Sequence, residues 1–395
     1  MRRLGLLQIE RDPAPTWPWV LAVSIGAVVA ALIAAGGVFW AFGINPFAAY
    51  TTILRGTLNT QSAPEIFRQA IPLLLCGVGL VVAFRAQFWN IGAEGQLLTG
   101  AVGATAVALF APLPAPFLIP AMFAAGFLCG AAWGMLPAVL RMKLDVNEVI
   151  TTLMMNYIAL FSVEWLIHGP WKGQESFGFA YSDTFPQAAW LAVIPGTRVH
   201  WISLAIGVLL AGGLAFLLAR TRLGFEVRIL GQNVAAARYA GIDPLRTTVA
   251  AMVISAGAAG LAGVGEVAGI HHKLLAPEQV SLGYGYAAII VAWLARGSPL
   301  AAILTAMFLG LIYSSGDVMK VALQMPFRVT DIFNGLILIF LIGSERLLPY
   351  RIRWVSRRAM QEPAPDPHAG VSLDQEASRI SGKPGPRSAR AADDG

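Results

Sequence analysis

The sequence predicts an all-α integral membrane protein, a polytopic bundle of about ten transmembrane helices with both termini on the inner side. Three observations carry that prediction. Charged residues make up 13% of the chain and hydrophobic residues 56%, whereas a soluble chain carries about 25% charge. The mean hydropathy is +0.65, and several apolar runs reach the ~20 helical residues needed to cross a ~30 Å hydrocarbon core. Finally, the basic residues gather at the ends of those runs, the pattern that sets membrane orientation. The net charge of +6 is therefore a topology signal and no argument for nucleic acid.

The first predicted span is Trp17–Phe42, preceded by a short inner N-terminus, 1–16. No small-residue cleavage site follows it, so it reads as a retained helix and not a removable signal peptide. Pro64–Phe84 and Ala93–Phe110 follow, separated by a polar break. Next come Phe117–Leu140 and Val149–His168, then a polar loop, Gly169–Val199. His200–Ala219 leads to a basic stretch, 220–246, and to Thr247–Ile270. Gly285–Leu294 is short for a span, and Leu300–Ser314 and Phe327–Ile342 complete the set. The membrane domain thus covers 17–358. The remainder, 359–395, is rich in Pro, Ser, Gly and charge and cannot bury enough apolar surface to fold. With the N-terminus inside, inner segments hold roughly 17 basic residues against 7 outside before that tail. If Gly285–Leu294 does not cross, the C-terminus moves outside, which the basic cluster Arg346–Arg358 opposes.

The break, FRAQFWNIGAEGQLLTG at 84–100, holds Arg85, Asn90, Glu94 and Gln96 among three glycines. A charge at mid-bilayer costs at least about 2.5 kcal/mol, so such residues face the bundle interior or a cavity. Irregular backbone at that depth is tolerated only against protein or a water-filled path. Two readings stay open for Asn90, Glu94 and Gln96. They line a path for a polar solute, or they form a knot in which Glu94 pairs with Arg85 and Asn90 caps the next helix. Their depth favours the inner half of a path or its gate. In the fifth span Glu148, Thr152 and Asn156 lie four apart, on one helix face, flanked by Met154 and Met155. Thr152 and Asn156 are path candidates by the same logic, with helix–helix hydrogen bonding as the alternative. Glu266 is a further path candidate, near the outer end of a small-residue helix whose Ala256, Gly260 and Val264 form a packing face. Asp331 and Asn334 share a face of the last span and are expected to satisfy neighbours.

No catalytic or metal-ligating set emerges, and no cofactor is implied. Adjacent His271 and His272 point about 100° apart in a helix and do not chelate one ion easily. Cys76 and Cys129 lie in apolar runs and read as small hydrophobes. There is no G-x-x-x-x-G-K-[ST] phosphate loop in the chain. A membrane enzyme is disfavoured on these grounds.

Within 220–246, Gln232–Ala240 is Ala-rich and helix-prone, Gly241 suits a C-terminal stop, and Pro244 prevents continuation. Such a short inner-face helix is either a plug for a cytoplasmic motor or a solvated loop held to headgroups by arginines. The run Leu230-Gly-Gln-Asn-Val-Ala-Ala-Ala-Arg-Tyr-Ala-Gly-Ile242 resembles the coupling loop of ATP-binding-cassette (ABC) importer permeases of the branched-chain amino acid, ribose and nucleoside type. Phe88-Trp-Asn-Ile-Gly-Ala-Glu-Gly-Gln96 is similar to an element of the nucleoside and simple-sugar branch. Asn147–Tyr157, Gly169-Pro170 and Gly283–Ala292 agree, in the same order. The resemblance implies a permease subunit forming the path for a nucleoside or simple sugar in a bacterial inner membrane. It implies Gly231, Asn233, Ala236, Ala237, Arg238, Tyr239, Ala240 and Gly241 as the coupling contact to two cytoplasmic ABC ATPase subunits. A second permease, of the same or another sequence, and an extracytoplasmic solute-binding protein complete the implied assembly, embedded in membrane lipid. The alternative is an ion-coupled secondary transporter, whose broken helices also place polar groups at the midplane. That alternative has no need of the short helix and its Gly241 stop.

Overall fold

The structure is a computed structural model describing residues 2–4, 7–11, 17–174, 178–325, and 332–333, 335–337, 339–340, 343–344 and 350–354. The tail 359–395, Asp331, Asn334 and much of Phe327–Ile342 lie outside the described residues.

Two compact units divide the chain, 25–343 and the pair of ends 1–24 with 344–395. The second unit departs from the all-α expectation. Strands β1 (Arg2–Leu4), β2 (Leu7–Arg11) and β3 (Tyr350–Trp354) form an antiparallel sheet in that order. Ile9 pairs with Arg2 on one side and Ile352 on the other. The strand register places both terminal segments in one sheet, a pairing that periodicity over so few residues does not reveal.

The larger unit is helical. Helix α1 (Trp17–Ala41) is followed by α2 (Pro46–Thr57), the two bent by 111°. Asn45 starts α2, its side chain accepting from the Phe47 N–H at 2.9 Å, ahead of Pro46 at the first helical position. Then come α3 (Ala63–Arg85), α4 (Ala93–Phe110), α5 (Ala115–Leu144) and α6 (Glu148–His168). A loop leads to α7 (Trp201–Arg220), two short helices α8 (Arg222–Gln232) and α9 (Val234–Tyr239), and α10 (Pro244–Glu266). A π-turn at Val267–His271 extends α10. Helices α11 (Pro277–Ser281), α12 (Tyr284–Leu294) and α13 (Pro299–Ala322) follow.

Among the described residues seven helices are long and apolar enough to cross a membrane, or eight if the bent α1–α2 pair counts as one. The predicted span at Gly285–Leu294 is not one of them, since α12 has 11 residues, about half a bilayer at 1.5 Å each. Yet the chain between α10 and α13 does pass from one end of the bundle to the other. Leu274 bonds to Ser182 of the 178–199 loop at 2.9 Å, while Gly297 sits against the Arg85 guanidinium at the end of α3. Residues 272–298 thus traverse the bundle in pieces, an arrangement uniform hydropathy windows miss.

The centre is α3 and α10. The window of α3 is 94% buried and that of α10 with its π-turn 78%, against 28% for α5 and α7. Burial on all sides explains why α3 is apolar all round from Ala70 to Phe84, beyond the polar residues Glu65, Arg68 and Gln69 of its first turns. The predicted small-residue face of α10 packs as expected: a Cβ on Gly126, Gly130 or Gly134 of α5 would collide with Val264, Ala256 or Gly260. Close helix approach of this kind gives dispersion contacts that replace the missing hydrophobic drive in lipid.

Candidate functional site

The break opens where α3 ends. Gln87 adopts a left-handed φ of 56°, turning the chain back into the bundle. Residues 88–92 then run irregularly to α4 beside α6 and α10, with Phe88, Asn90 and Gly92 buried and Trp89 exposed. Asn90, Gln96 and Thr152 are each no more than 1% exposed, Asn156 is 3% and Glu94 7%. Sequence analysis named these five, and the structure brings them together.

Their polar atoms are paired within the cluster. Asn90 and Gln96 exchange amide hydrogen bonds: Asn90 Nδ2 donates to Gln96 Oε1 at 2.9 Å and Gln96 Nε2 donates to Asn90 Oδ1 at 3.0 Å. Asn90 Nδ2 also donates to Ser255 Oγ of α10 at 3.1 Å, and its Oδ1 accepts from the Gly92 N–H at 3.0 Å. Thr152 Oγ1 accepts from the Ile91 N–H at 3.2 Å. Asn156 clasps the break from α6, accepting from the Gly95 N–H at 2.9 Å and donating to the Ile91 carbonyl at 2.9 Å. Glu94 turns to α12 and not to Arg85: its Oε2 accepts from the Gly285 N–H at 2.8 Å, at the positive end of a half-length helix. Glu148 pairs with Arg141 of α5 at 3.1 Å, and Asn147 caps α6 through the Val149 N–H at 2.9 Å. Satisfied amides at depth are the condition for irregular backbone there.

The break touches the α8–α9 hairpin directly. Gly231, at the end of α8, lies so close to the Arg85 carbonyl that a Cβ would overlap it. A cleft of about 670 Å³ opens beside this contact, lined by Arg85, Arg228, Trp89 and Trp293 among others. Trp89 packs on Trp293 of α12 at 5.4 Å. Asn233 caps α9, its Oδ1 accepting from the Ala235 N–H at 2.8 Å and the Ala236 N–H at 3.2 Å. The chain leaves α9 through Gly241 at φ +74°, a backbone that glycine adopts without strain. Ala237 is fully buried with Leu230 and Ile242 in a small core of its own. Asn233, Ala236, Arg238, Ala240 and Gly241 face out, and Tyr239 is 95% exposed. The Ala-rich α9 is thus held from underneath and open on top.

Glu266 lies elsewhere. It is fully buried at the far end of α10, with His200 and Ser203 of α7, also 0% exposed, nearby. Sequence reasoning missed His200, Ser203 and Arg68; Arg68, a charge inside an apolar helix, is the signal that points to them. The 178–199 loop is pinned beside this cluster. The Leu191 N–H donates to the Ala268 carbonyl at 3.0 Å, and Trp190 stacks on His272 at 4.0 Å.

Residues 62–342 match the family described as branched-chain amino acid transport system, permease component. The chain belongs to that family and is a multi-pass membrane permease of the ABC class. It is 34% identical over 361 residues to the glucose ABC transporter permease of Haloferax volcanii, covering 88% of this chain and 94% of the relative. It is 30% identical to the guanosine ABC transporter permease of Bacillus subtilis, covering 85% and 95%. It is also 30% identical to a nucleoside ABC transporter permease of Lactococcus lactis, covering 74% and 81%.

Proposed function

We propose that this chain forms the translocation path of an ABC importer for a nucleoside or simple sugar, in a bacterial inner membrane, driven by separate ATPase subunits. The observation that carries the reading is the close contact of α8, which leads straight into the exposed α9, with the end of α3 where the polar break begins, through Gly231 and the Arg85 carbonyl. A push on α9 passes through the Asn233 corner and α8 to the start of the break. Gly231, Asn233, Ala236–Gly241 form the coupling contact: Tyr239 and Arg238 meet the ATPase, Ala237 holds the helix to the body, and Gly241 sets its exit. Two ATPases, a second permease and an extracytoplasmic binding protein fit this role. The relatives' named solutes, glucose and nucleosides, support a polyhydroxylated solute here.

The α8–α9 end faces the cytoplasm in this reading, as its arginines favour. Counting α1 and the pieced passage 272–298 as one crossing each beside the seven long apolar helices gives nine among the described residues; the apolar sequence of 327–342 makes the proposed ten, with both termini inside. Asn90, Glu94, Gln96, Thr152 and Asn156 build the wall of the path and its gate at the inner side, and Glu266 supplies polar contact towards the outer end.

The test is solute uptake by the assembled transporter in proteoliposomes, with the binding protein outside and ATP enclosed. Uptake requires ATP, is blocked by vanadate, and continues when an uncoupler collapses the proton gradient. Uptake abolished by the uncoupler at constant ATP rejects the ABC mechanism in favour of an ion-coupled carrier.

A further inference from the structure

Among the described residues seven buried side-chain nitrogen or oxygen atoms have no hydrogen-bond partner, and six of them belong to four residues at one end of the bundle. They are both ring nitrogens of His200, Ser203 Oγ, both carboxylate oxygens of Glu266, and His271 Nε2. Leaving a buried polar group unmade costs about 1–3 kcal/mol, more for a charged one. Six together are too many for a purely structural corner. The local backbone is also built for the purpose. The π-turn directly after Glu266 widens α10 at Val267–His271, and such turns gather at functional sites. Gly265 and Gly269 leave room for the His200 ring, which their Cβ atoms would crowd at 3.2 Å and 2.8 Å.

Two polar chains run from an open cleft into the interior of the bundle. The cleft, of about 460 Å³, is lined by Asn59, Ser62, Glu65 and Asp317 among others, within the size range of small-molecule sites. From its rim Glu65 pairs with Arg68, whose side chain runs into the buried part of α3. In parallel, Asp317 Oδ2 accepts from Gln69 Nε2 at 2.7 Å, and Gln69 Oε1 accepts from the Tyr284 hydroxyl at 2.5 Å.

We infer that Glu266, His200 and Ser203, with His271, form an outer-half subsite that binds the hydroxyl groups of the transported solute, reached from the Asn59–Asp317 cleft. This rests on the nucleoside-or-sugar reading and deepens it. A carboxylate with two free oxygens accepts from two neighbouring hydroxyls at once. The His200 imidazole offers one acceptor and one donor, His271 offers its Nε2, and the serine hydroxyl serves either way. That set matches a vicinal diol, which the ribose of a nucleoside and a hexose share, and not an apolar or purely anionic solute.

The experiment uses the assembled transporter in proteoliposomes with four probes: guanosine, 2′,3′-dideoxyguanosine, glucose and 2-deoxyglucose. The wild type takes up at least one parent with a KM roughly tenfold or more below that of its deoxy analogue, the discrimination one charge-assisted hydrogen bond supplies. Glu266→Gln raises the KM of the parent and brings the ratio towards one, at normal abundance in the membrane. Ser203→Ala narrows the ratio less and serves as the second variant where Glu266→Gln lowers abundance. An unchanged ratio in the variant that inserts overturns the subsite while the solute reading stands. Uptake of neither parent by the wild type overturns the solute reading, and the subsite with it.

Discussion

Two polar clusters lie buried in this bundle, and they differ in one physical respect. The Asn90–Gln96 cluster uses its side chains to satisfy its own backbone and one another. The Glu266–His200–Ser203 cluster leaves its side-chain atoms without partners. A closed network rigidifies what it holds, because each bond depends on the others. An open one stores a desolvation cost that a polar solute relieves. On the proposed reading the first cluster frames the path, and the second meets cargo.

Substitutions in the coupling helix are expected to have the largest effect on transport. Ala236→Asp places a carboxylate on the exposed face of α9, and Gly241→Val forces a branched residue into φ +74°, at a cost of about 1–2 kcal/mol. Uptake falls to background in both, while immunodetection finds the protein in the membrane at near-normal levels. Normal uptake in both variants breaks the assignment of α9 to coupling.

Asn90→Ala comes next. It orphans Gln96 and the Gly92 N–H, an expected loss of about 1–3 kcal/mol. Abundance and thermal stability in detergent drop several-fold and by several degrees, with the KM for solute unchanged. Gln96→Ala behaves alike. A shifted KM at normal abundance would return these residues to the list of solute contacts.

The smallest effect belongs to Arg141→Ala. Its pairs with Asp145 and Glu148 are partly exposed, so the loss is within about 1 kcal/mol. Melting temperature and uptake stay close to wild type. A larger loss would mean that the α5–α6 turn contributes to the gate.

The legible parts of the fold were those governed by local pattern. Asn233, the Ala run and Gly241 specify a short capped helix, and α9 appears between them. The Gly-broken run at 84–100 marks a break, and its partners Thr152 and Asn156 are readable from their four-residue spacing. What escaped is what depends on distant contact. Arg85 and Glu94 are close in sequence, yet Glu94 caps α12, because a helix N-terminus 191 residues on satisfies a buried carboxylate. His200 begins a helix at the edge of a polar loop, and nothing local places it against Gly265 and Gly269. The pieced passage 272–298 lacks a continuous apolar window, and the sheet of β1–β3 joins opposite ends of the chain.

The most direct test of the contrast is the KM for uptake, normalised to inserted protein, measured side by side in Gln96→Ala and Glu266→Gln. The account predicts lower abundance with an unchanged KM in the first, and normal abundance with a raised KM in the second. A raised KM in Gln96→Ala together with an unchanged one in Glu266→Gln would contradict it.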